Sequence, residues 1–330
     1  MPIHSVPLET SWLETLNNGA LHCLREDLSI VKISGENHRQ YLQGQLTQDL
    51  SKLTPDQGIY SLILTPQGKV IAPLWLIDAG SETIIVTPTC QAIAVVERLR
   101  QFSLGYTLRI GWVRSMAIYA IQGSQSDQRI ALHQPLLHPY QTTTLKHHNN
   151  IYAFKINEAA NNGLWLIGNL SDLETINLSA LPSIDHATFM QLCTRFGTPN
   201  FPTDWDQQTA ALYANLIEYH GVSFTKGCYT GQEIISRMQW RVTNKKHLYH
   251  LTWYADPSEA FVVDSITQES PVTVAILTSH TSMVEDERAG DHHHYGIALL
   301  ADDLVHRPEQ LRINQTVLIH SLHRCQLDSR

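Results

Sequence analysis

Gly221-Val222-Ser223-Phe224-Thr225-Lys226-Gly227-Cys228-Tyr229-Thr230-Gly231-Gln232-Glu233 is the stretch on which the reading of this chain turns. Val222 to Phe224 has the texture of a short strand, and Lys226-Gly227 breaks it into a turn. Thr230 is a good helix N-cap, and Glu233 three residues on completes a capping box. A helix is therefore expected from Gly231 to about Met238 or Trp240. Cys228 then lies in a strand-to-helix turn, just ahead of unpaired N–H groups that carry partial positive charge. Lys226 adds a full charge nearby, and both favour a thiolate over a thiol. Gly227 and Gly231, flanking the cysteine, let backbone approach a ligand closely. The competing interpretation is a capped turn holding an inert, half-buried cysteine.

Lys226-Gly227-Cys228-Tyr229-Thr230-Gly231-Gln232-Glu233 as a whole resembles the signature octet of the YgfZ family. That resemblance continues through Arg237 and Arg241, although Ser236 and Val242 stand where Ala and Gly are usual. Asn215-Leu216 upstream matches an Asn-Leu pair. Tyr41-Leu42-Gln43-Gly44-Gln45-Leu46-Thr47-Gln48-Asp49-Leu50 is similar to the family's Leu-Gln-Gly-Gln-Val-Thr-x-Asp run. The likeness covers roughly residues 20–242 and is strongest in these two blocks. It implies a folate-binding protein with the fold of the glycine cleavage T-protein (an aminomethyltransferase), involved in maintaining iron–sulfur enzymes, one of which modifies tRNA.

Composition sets independent bounds. A chain of 330 residues holds two or three domains, and 43% hydrophobic with 16% charged residues describes a globular protein. No apolar run is long enough to span a membrane, and Met1-Pro2-Ile3-His4-Ser5 lacks the layout of a signal peptide. A cytoplasmic location is the default. The five cysteines, Cys23, Cys90, Cys193, Cys228 and Cys325, are scattered and lack CxxC spacing. Neither a disulfide framework nor a zinc site is indicated, and no metal is expected. A formal net charge of −8 argues against general nucleic-acid binding, which needs a basic surface. A link to tRNA can therefore run through a client enzyme. Arg237, Arg241, Lys245 and Lys246 still form a local basic cluster that suits a small anionic ligand.

Taken in order, the pattern predicts an α+β fold. Ala20 to Cys23 and Leu28 to Ile33 read as a hairpin turning at Arg25-Glu26-Asp27. Ser34 caps a helix through Gln43, with Gly44 at its C′ position. Three strands (Ile59 to Thr65, Val70 to Ile77, Ser81 to Pro88), a helix from Cys90 to Phe102 and a strand from Thr107 to Ile121 form an antiparallel α+β unit. Residues 122–149 are a polar stretch, with His147 and His148 in a solvated loop. Strands at Ile151 to Lys155 and Leu164 to Ile167 precede helices at Leu170 to Leu178 and Ser183 to Phe196. Periodicity makes Asp204 to Ile217 helical, whereas the resemblance implies an irregular segment there. From about Lys245 the texture changes to short β runs: His247 to Tyr254, Phe261 to Val263, Thr273 to Thr278, Tyr295 to Leu299 and Gln315 to His320. His292, His293 and His294 are placed in a hairpin loop, because three successive strand residues cannot share a face. Together with the resemblance this gives two interleaved antiparallel-sheet lobes over residues 1–242 and a C-terminal β-barrel over residues 243–330.

The resemblance further implies a folate site at the centre of the two lobes. A pterin needs an amide or carboxylate at its edge, apolar walls, and a cation for the glutamate tail. Asn215, Gln43 and Gln45 are the candidates for the edge, Leu28 and Phe189 for the walls, and Lys226, Arg237 or Arg241 for the tail. Tyr229 is expected to shape the turn at the site. Tetrahydrofolate is the implied cofactor, and iron–sulfur client enzymes are the implied partners. Two departures stand out. Arg195, in Cys193-Thr194-Arg195-Phe196-Gly197, occupies the place where T-proteins carry a pterin-holding Glu, and a guanidinium cannot accept a hydrogen bond. Gly68-Lys69-Val70-Ile71-Ala72-Pro73 lacks the carboxylate with which T-proteins position the amine. Aminomethyl transfer is therefore disfavoured, though a folate-dependent one-carbon transferase remains the alternative function. Cys228, with Lys226 beside it, is assigned the functional thiol: a redox or adduct-forming group, a transient iron–sulfur ligand completed by a partner, or a structural residue. Glu233 and Arg237 are spaced to form a helix-surface ion pair.

Overall fold

The computed structural model describes residues 8–243, 245–255, 262–266, 271–284, 292–315 and 317–327. The near-continuous Ile/Leu/Val runs of the first half become strands, the central ones largely buried. They are β1 (Leu21–Leu24), β2 (Leu28–Ser34), β3 (Ile59–Leu64), β4 (Val70–Asp78), β5 (Glu82–Pro88), β6 (Arg109–Trp112), β7 (Met116–Gln122), β8 (Thr142–Leu145), β9 (His148–Lys155) and β10 (Gly163–Asn169). They form two antiparallel five-stranded sheets, in the orders β3-β4-β5-β2-β6 and β1-β7-β10-β9-β8.

These orders correct the hairpin expectation. β1 pairs with β7 and β2 pairs with β5 and β6, so the two strands enter different sheets. The chain starts in one sheet, crosses at Arg25-Glu26-Asp27, builds the other, and returns at β7. The expected single strand from Thr107 to Ile121 is likewise two, split at 113–115 between the sheets. The lobes are therefore interleaved, and each has its own apolar core. Val31, Leu42, Leu74 and Leu99 sit in one and Ile121, Leu164 and Leu166 in the other, all fully buried. At 25–30 cal/mol per Å² of apolar surface, each such side chain contributes about 2 kcal/mol toward the folded state.

The helices shift in detail. His38–Gln43 is shorter than expected because Ser34 ends β2. Ala92–Gln101 and His186–Phe196 form as read, the second capped by the Asp185 side chain and stopped by left-handed Gly197. The predicted helix Leu170 to Leu178 is a single turn, Leu170–Leu173. Residues 204–217 are irregular apart from a 3-10 turn at Ala211–Ala214, so tertiary packing overrides their periodicity.

The C-terminal region is one antiparallel sheet built from β11 (Lys246–Ala255), β12 (Val262–Ile266), β13 (Pro271–Val284), β14 (His292–Ala301), β15 (Leu311–Ile313), β16 (Val317–Leu318) and β17 (Ser321–Arg324). Its order is β16-β15-β12-β13-β14-β11-β17. The two edge strands are consecutive in the chain and separated only by Ile319 and His320. At 3.8 Å per residue that link reaches about 11 Å, so the sheet must curl until its edges nearly meet. A register shift between Leu277 and Ser279 supplies the bend. His292 to His294 open β14 and do not form a loop; His294 turns inward at 2% exposure. Phe261, predicted to begin a strand, lies outside the described residues.

Inside this sheet the His280 and His294 rings stack on Trp253, and the two imidazoles meet at 2.8 Å. Burial, reinforced by His294, lowers the His280 pKa to about 4. The unfolded chain protonates this histidine near pH 6.5 and the folded chain does not. Stability from this group is thus complete above pH 6.5 and is lost as pH falls from 6.5 toward 4. Thermal melts across that window should show a falling Tm, with a shallower fall in His280→Gln; an unchanged slope would contradict this assignment.

Candidate functional site

The Lys226–Glu233 turn and the Gln43–Asp49 bend, far apart in sequence, lie against each other. Lys226 is buried, and its Nζ donates to the carbonyls of Gln43 (2.7 Å), Leu46 (2.9 Å) and Gln48 (2.8 Å). An ammonium has three N–H donors, so all three are used. Burial pushes its pKa down to about 8, with Asp49 opposing the shift. The Thr230 N–H donates to Gly44 O at 3.1 Å and the Ser223 N–H to Thr47 O at 3.0 Å. Thr47 Oγ1 donates to Gly221 O at 2.6 Å. Tyr229 closes over the ammonium, its ring centre 5.2 Å from Nζ.

Cys228 itself is exposed, and space is open around Gly227. The lysine that was to activate the thiol is instead committed to backbone carbonyls. Residues 222–224 form no strand. The helix runs Gln232–Arg241, and its N-cap is Gly231 at φ 86°, not Thr230. A side chain at Gly231 would meet Leu64 Cδ1 at 2.9 Å, which explains the glycine. Glu233 makes no capping box; it pairs with Arg237 at 2.6 Å on the helix surface. Arg237 and Arg241 are both exposed.

A separate cavity of about 70 Å³ lies between the lobes, and neither Cys228, Gln43 nor Gln45 lines it. Five aromatic rings close a circuit beside it. Tyr60 contacts Trp75 (5.3 Å between ring centres), Trp75 contacts Trp165 (5.2 Å), and Trp165 stacks on Phe154 (5.7 Å). Phe154 then meets Tyr140 (5.7 Å), which returns to Tyr60 (6.2 Å). Tyr60 and Trp75 come from one sheet, Phe154 and Trp165 from the other.

The polar end of the cavity is an ionic cluster. Arg25 donates through NH1 to Glu158 Oε1 (2.5 Å) and through Nε and NH2 to the two Asp27 oxygens (both 2.8 Å). Trp165 Nε1 donates to Glu158 Oε2 at 2.6 Å, and His186 approaches Asp27 at 3.1 Å. Burial disfavours charge on Asp27, yet hydrogen bonds from Arg25 and His186 outweigh it and hold the carboxyl well below its usual range. The guanidinium also packs on Phe189, 4.8 Å from the ring centre. Asn157 lines the same cavity, and its buried Oδ1 has no hydrogen-bond partner among the described residues.

Of the residues singled out from sequence, Leu28 lines this cavity and Phe189 backs it through Arg25. Asn215 is fully buried elsewhere: its amide donates to Leu248 O (2.9 Å) and Cys325 O (2.7 Å) and accepts from Leu248 N–H (2.8 Å). It fastens the curled sheet to the lobes. Gln43 is consumed by Asp49 and the Leu50 N–H, and Gln45 by Arg98. Arg195 stacks between Phe196 and Tyr295 and lines a crevice against the curled sheet, not the cavity. Two carboxylates do line the cavity, Asp27 and Glu158, from segments other than those around Arg195 and Lys69. Among the described residues no group of three or more His, Cys, Asp or Glu could hold a metal ion, and no helix is long and apolar enough to cross a membrane.

Lys226→Met should leave three buried carbonyls without donors. At 1–3 kcal/mol for an unsatisfied buried group, a loss of about 3 kcal/mol is expected. Cys228→Ser, at an exposed position, should stay within about 0.5 kcal/mol of the parent. Urea denaturation of both variants checks this; equal stability of Lys226→Met and the parent would contradict the anchoring role.

No protein-family model matches the chain. Curated relatives do. The tRNA-modifying protein YgfZ of Hamiltonella defensa is 27% identical over 238 residues, covering 69% of each chain. That of Vibrio vulnificus strain YJ016 is 26% identical over 244 residues, covering 71% of each, and that of Colwellia psychrerythraea is 25% identical over 229 residues. Among solved structures, the glycine cleavage system aminomethyltransferase T from Bartonella henselae superposes with a TM-score of 0.73 at 14% identity. It covers 95% of this chain and 87% of its own. The chain is thus similar to YgfZ proteins along some seven-tenths of its sequence and has the fold of the glycine cleavage T-protein.

Proposed function

We propose that this protein is a YgfZ-type, folate-binding accessory factor. It supports iron–sulfur client enzymes, and tRNA modification through one of them, by presenting the Cys228 thiol. The observation that carries this reading is the exposure of Cys228 on a turn whose neighbouring lysine is locked away. A turnover site encloses its nucleophile beside a base; this one holds the sulfur outward, where a partner protein can reach it. A single cysteine can then serve as one ligand of a cluster completed by the partner, or as an adduct-forming group.

The lining of the inter-lobe cavity suits the pterin end of a reduced folate. Tyr60 and Trp75 supply flat walls, and the unpartnered Asn157 Oδ1 beside Glu158 accepts ring N–H groups. At about 70 Å³ the cavity is narrow, so binding requires its aromatic walls to part. When bound, tetrahydrofolate would supply a one-carbon carrier or a reducible ring. The chain's own residues hold its edge, exclude water and pair both Asp27 and Glu158 with Arg25. Those two carboxylates favour the second reading, a folate-dependent one-carbon transferase.

Titrating tetrahydrofolate against the parent should give saturable binding that weakens about tenfold in Asn157→Ala, the loss expected for one buried hydrogen bond. In cells lacking their own copy, Cys228→Ser should fold and bind folate yet fail to restore iron–sulfur enzyme activity. Full restoration by Cys228→Ser would refute the thiol role. Steady consumption of an aminomethyl donor by the purified parent would establish the transferase instead.

A further inference from the structure

Arg98 is a buried cation that does not line the inter-lobe cavity. It is 7% exposed, on the helix Ala92–Gln101. NH1 donates to Gln45 Oε1 at 3.0 Å, and the Phe102 ring covers one face at 3.7 Å from Cζ. Nε and NH2 are buried and have no hydrogen-bond partner among the described residues, nor does the side chain make an ion pair there. A desolvated guanidinium without a carboxylate is costly, because the Phe102 face offsets only part of its charge and its remaining donors stay unpaired. Such a group persists where a ligand supplies the compensation.

Arg98 forms part of the wall of a recess of about 370 Å³. Thr65 and Lys69 from the β3–β4 turn line the same recess, as do Glu97 and Gln101 from the helix. Lys69, Glu97 and Gln101 are long, exposed side chains at its mouth, able to move aside. Two cations against one exposed carboxylate leave the recess net positive in a chain whose formal charge is −8. The recess is also tied to the cysteine turn. Gln45, which Arg98 holds, follows Gly44, and the Gly44 carbonyl takes the Thr230 N–H. On its other side, Gly68 of the β3–β4 turn packs against Ile234 of the helix that follows Cys228.

We infer that this recess is a binding site for a small anion, which reaches the buried free edge of Arg98 as the rim side chains swing aside and is held there with Lys69 and the Thr65 hydroxyl. The planar fork of a guanidinium accepts two oxygens of a carboxylate or of a phosphate equally well by geometry. The site is distinct from the inter-lobe cavity and independent of what that cavity binds.

Sodium phosphate and sodium acetate, each titrated by calorimetry into the full-length protein at fixed ionic strength, test this. Saturable binding of one or both is expected, and the tighter of the two identifies the ligand as phosphorylated or carboxylic. Arg98→Gln should weaken it by about tenfold or more, the effect of losing a charge-assisted pair. Should Arg98→Gln fail to fold, Lys69→Gln at the exposed rim should still weaken binding several-fold with an unchanged Tm. Absence of saturable binding of either anion, or binding unaffected by the substitutions, would overturn the site.

Discussion

The charge of Arg25 is the constraint around which the two lobes are arranged. Arg25 is 4% exposed and lies where the chain leaves β1 for β2, that is, where it passes from one sheet to the other. Glu158 reaches it from the connection between β9 and β10, and Asp27 from the start of β2. A buried cation of this kind is tolerated only with its partners in place, and removing one typically costs about 3–5 kcal/mol. The interleaved topology is what brings Arg25 and Glu158, 133 positions apart, to the same point. The aromatic circuit then builds on that point, since Trp165 both donates to Glu158 and packs under Arg25.

Two devices share this frame without sharing a cavity. Strand β3 is the wall between them, because successive side chains point to opposite faces. Tyr60 lines the inter-lobe cavity, while Ser61 Oγ faces the other way, toward Thr47 and the Gln48 N–H of the bend. Gly221, at the start of the cysteine turn, fits against this wall only because it lacks a Cβ, which would stand 2.7 Å from the Tyr60 ring. The Tyr60 ring is therefore packed directly against the segment that carries Cys228. The Lys226 ammonium, gripping three carbonyls, fastens that segment to the Gln43–Asp49 bend.

Much of this was legible in the sequence. The strands and the helices Ala92–Gln101 and His186–Phe196 follow from hydrophobic periodicity and cap residues, which are local signals. The meeting of the Lys226 turn with the Gln43–Asp49 bend followed from resemblance rather than from physics. What stayed hidden is non-local. Arg25-Glu26-Asp27 looks like a polar hairpin turn, and nothing nearby signals that its arginine is buried against Glu158. Asn215 matches a family pair, but its left-handed backbone at φ 55° and its three bonds to Leu248 and Cys325 belong to the curled sheet. The spacing of Lys226 to Cys228 suggested thiol activation. Three carbonyls from a distant bend claim the ammonium instead, and adjacency in sequence could not show which acceptor would win.

On the proposed reading, the folate cavity between the lobes and the Cys228 thiol are separate sites on one T-protein-like frame. A crystal structure with bound tetrahydrofolate tests it most directly. Pterin density is expected between Tyr60 and Trp75, with its edge at Asn157 and Glu158 and Cys228 left uncovered. Pterin density against Cys228 or the Gln43–Gln45 bend, with the inter-lobe cavity empty, would contradict it.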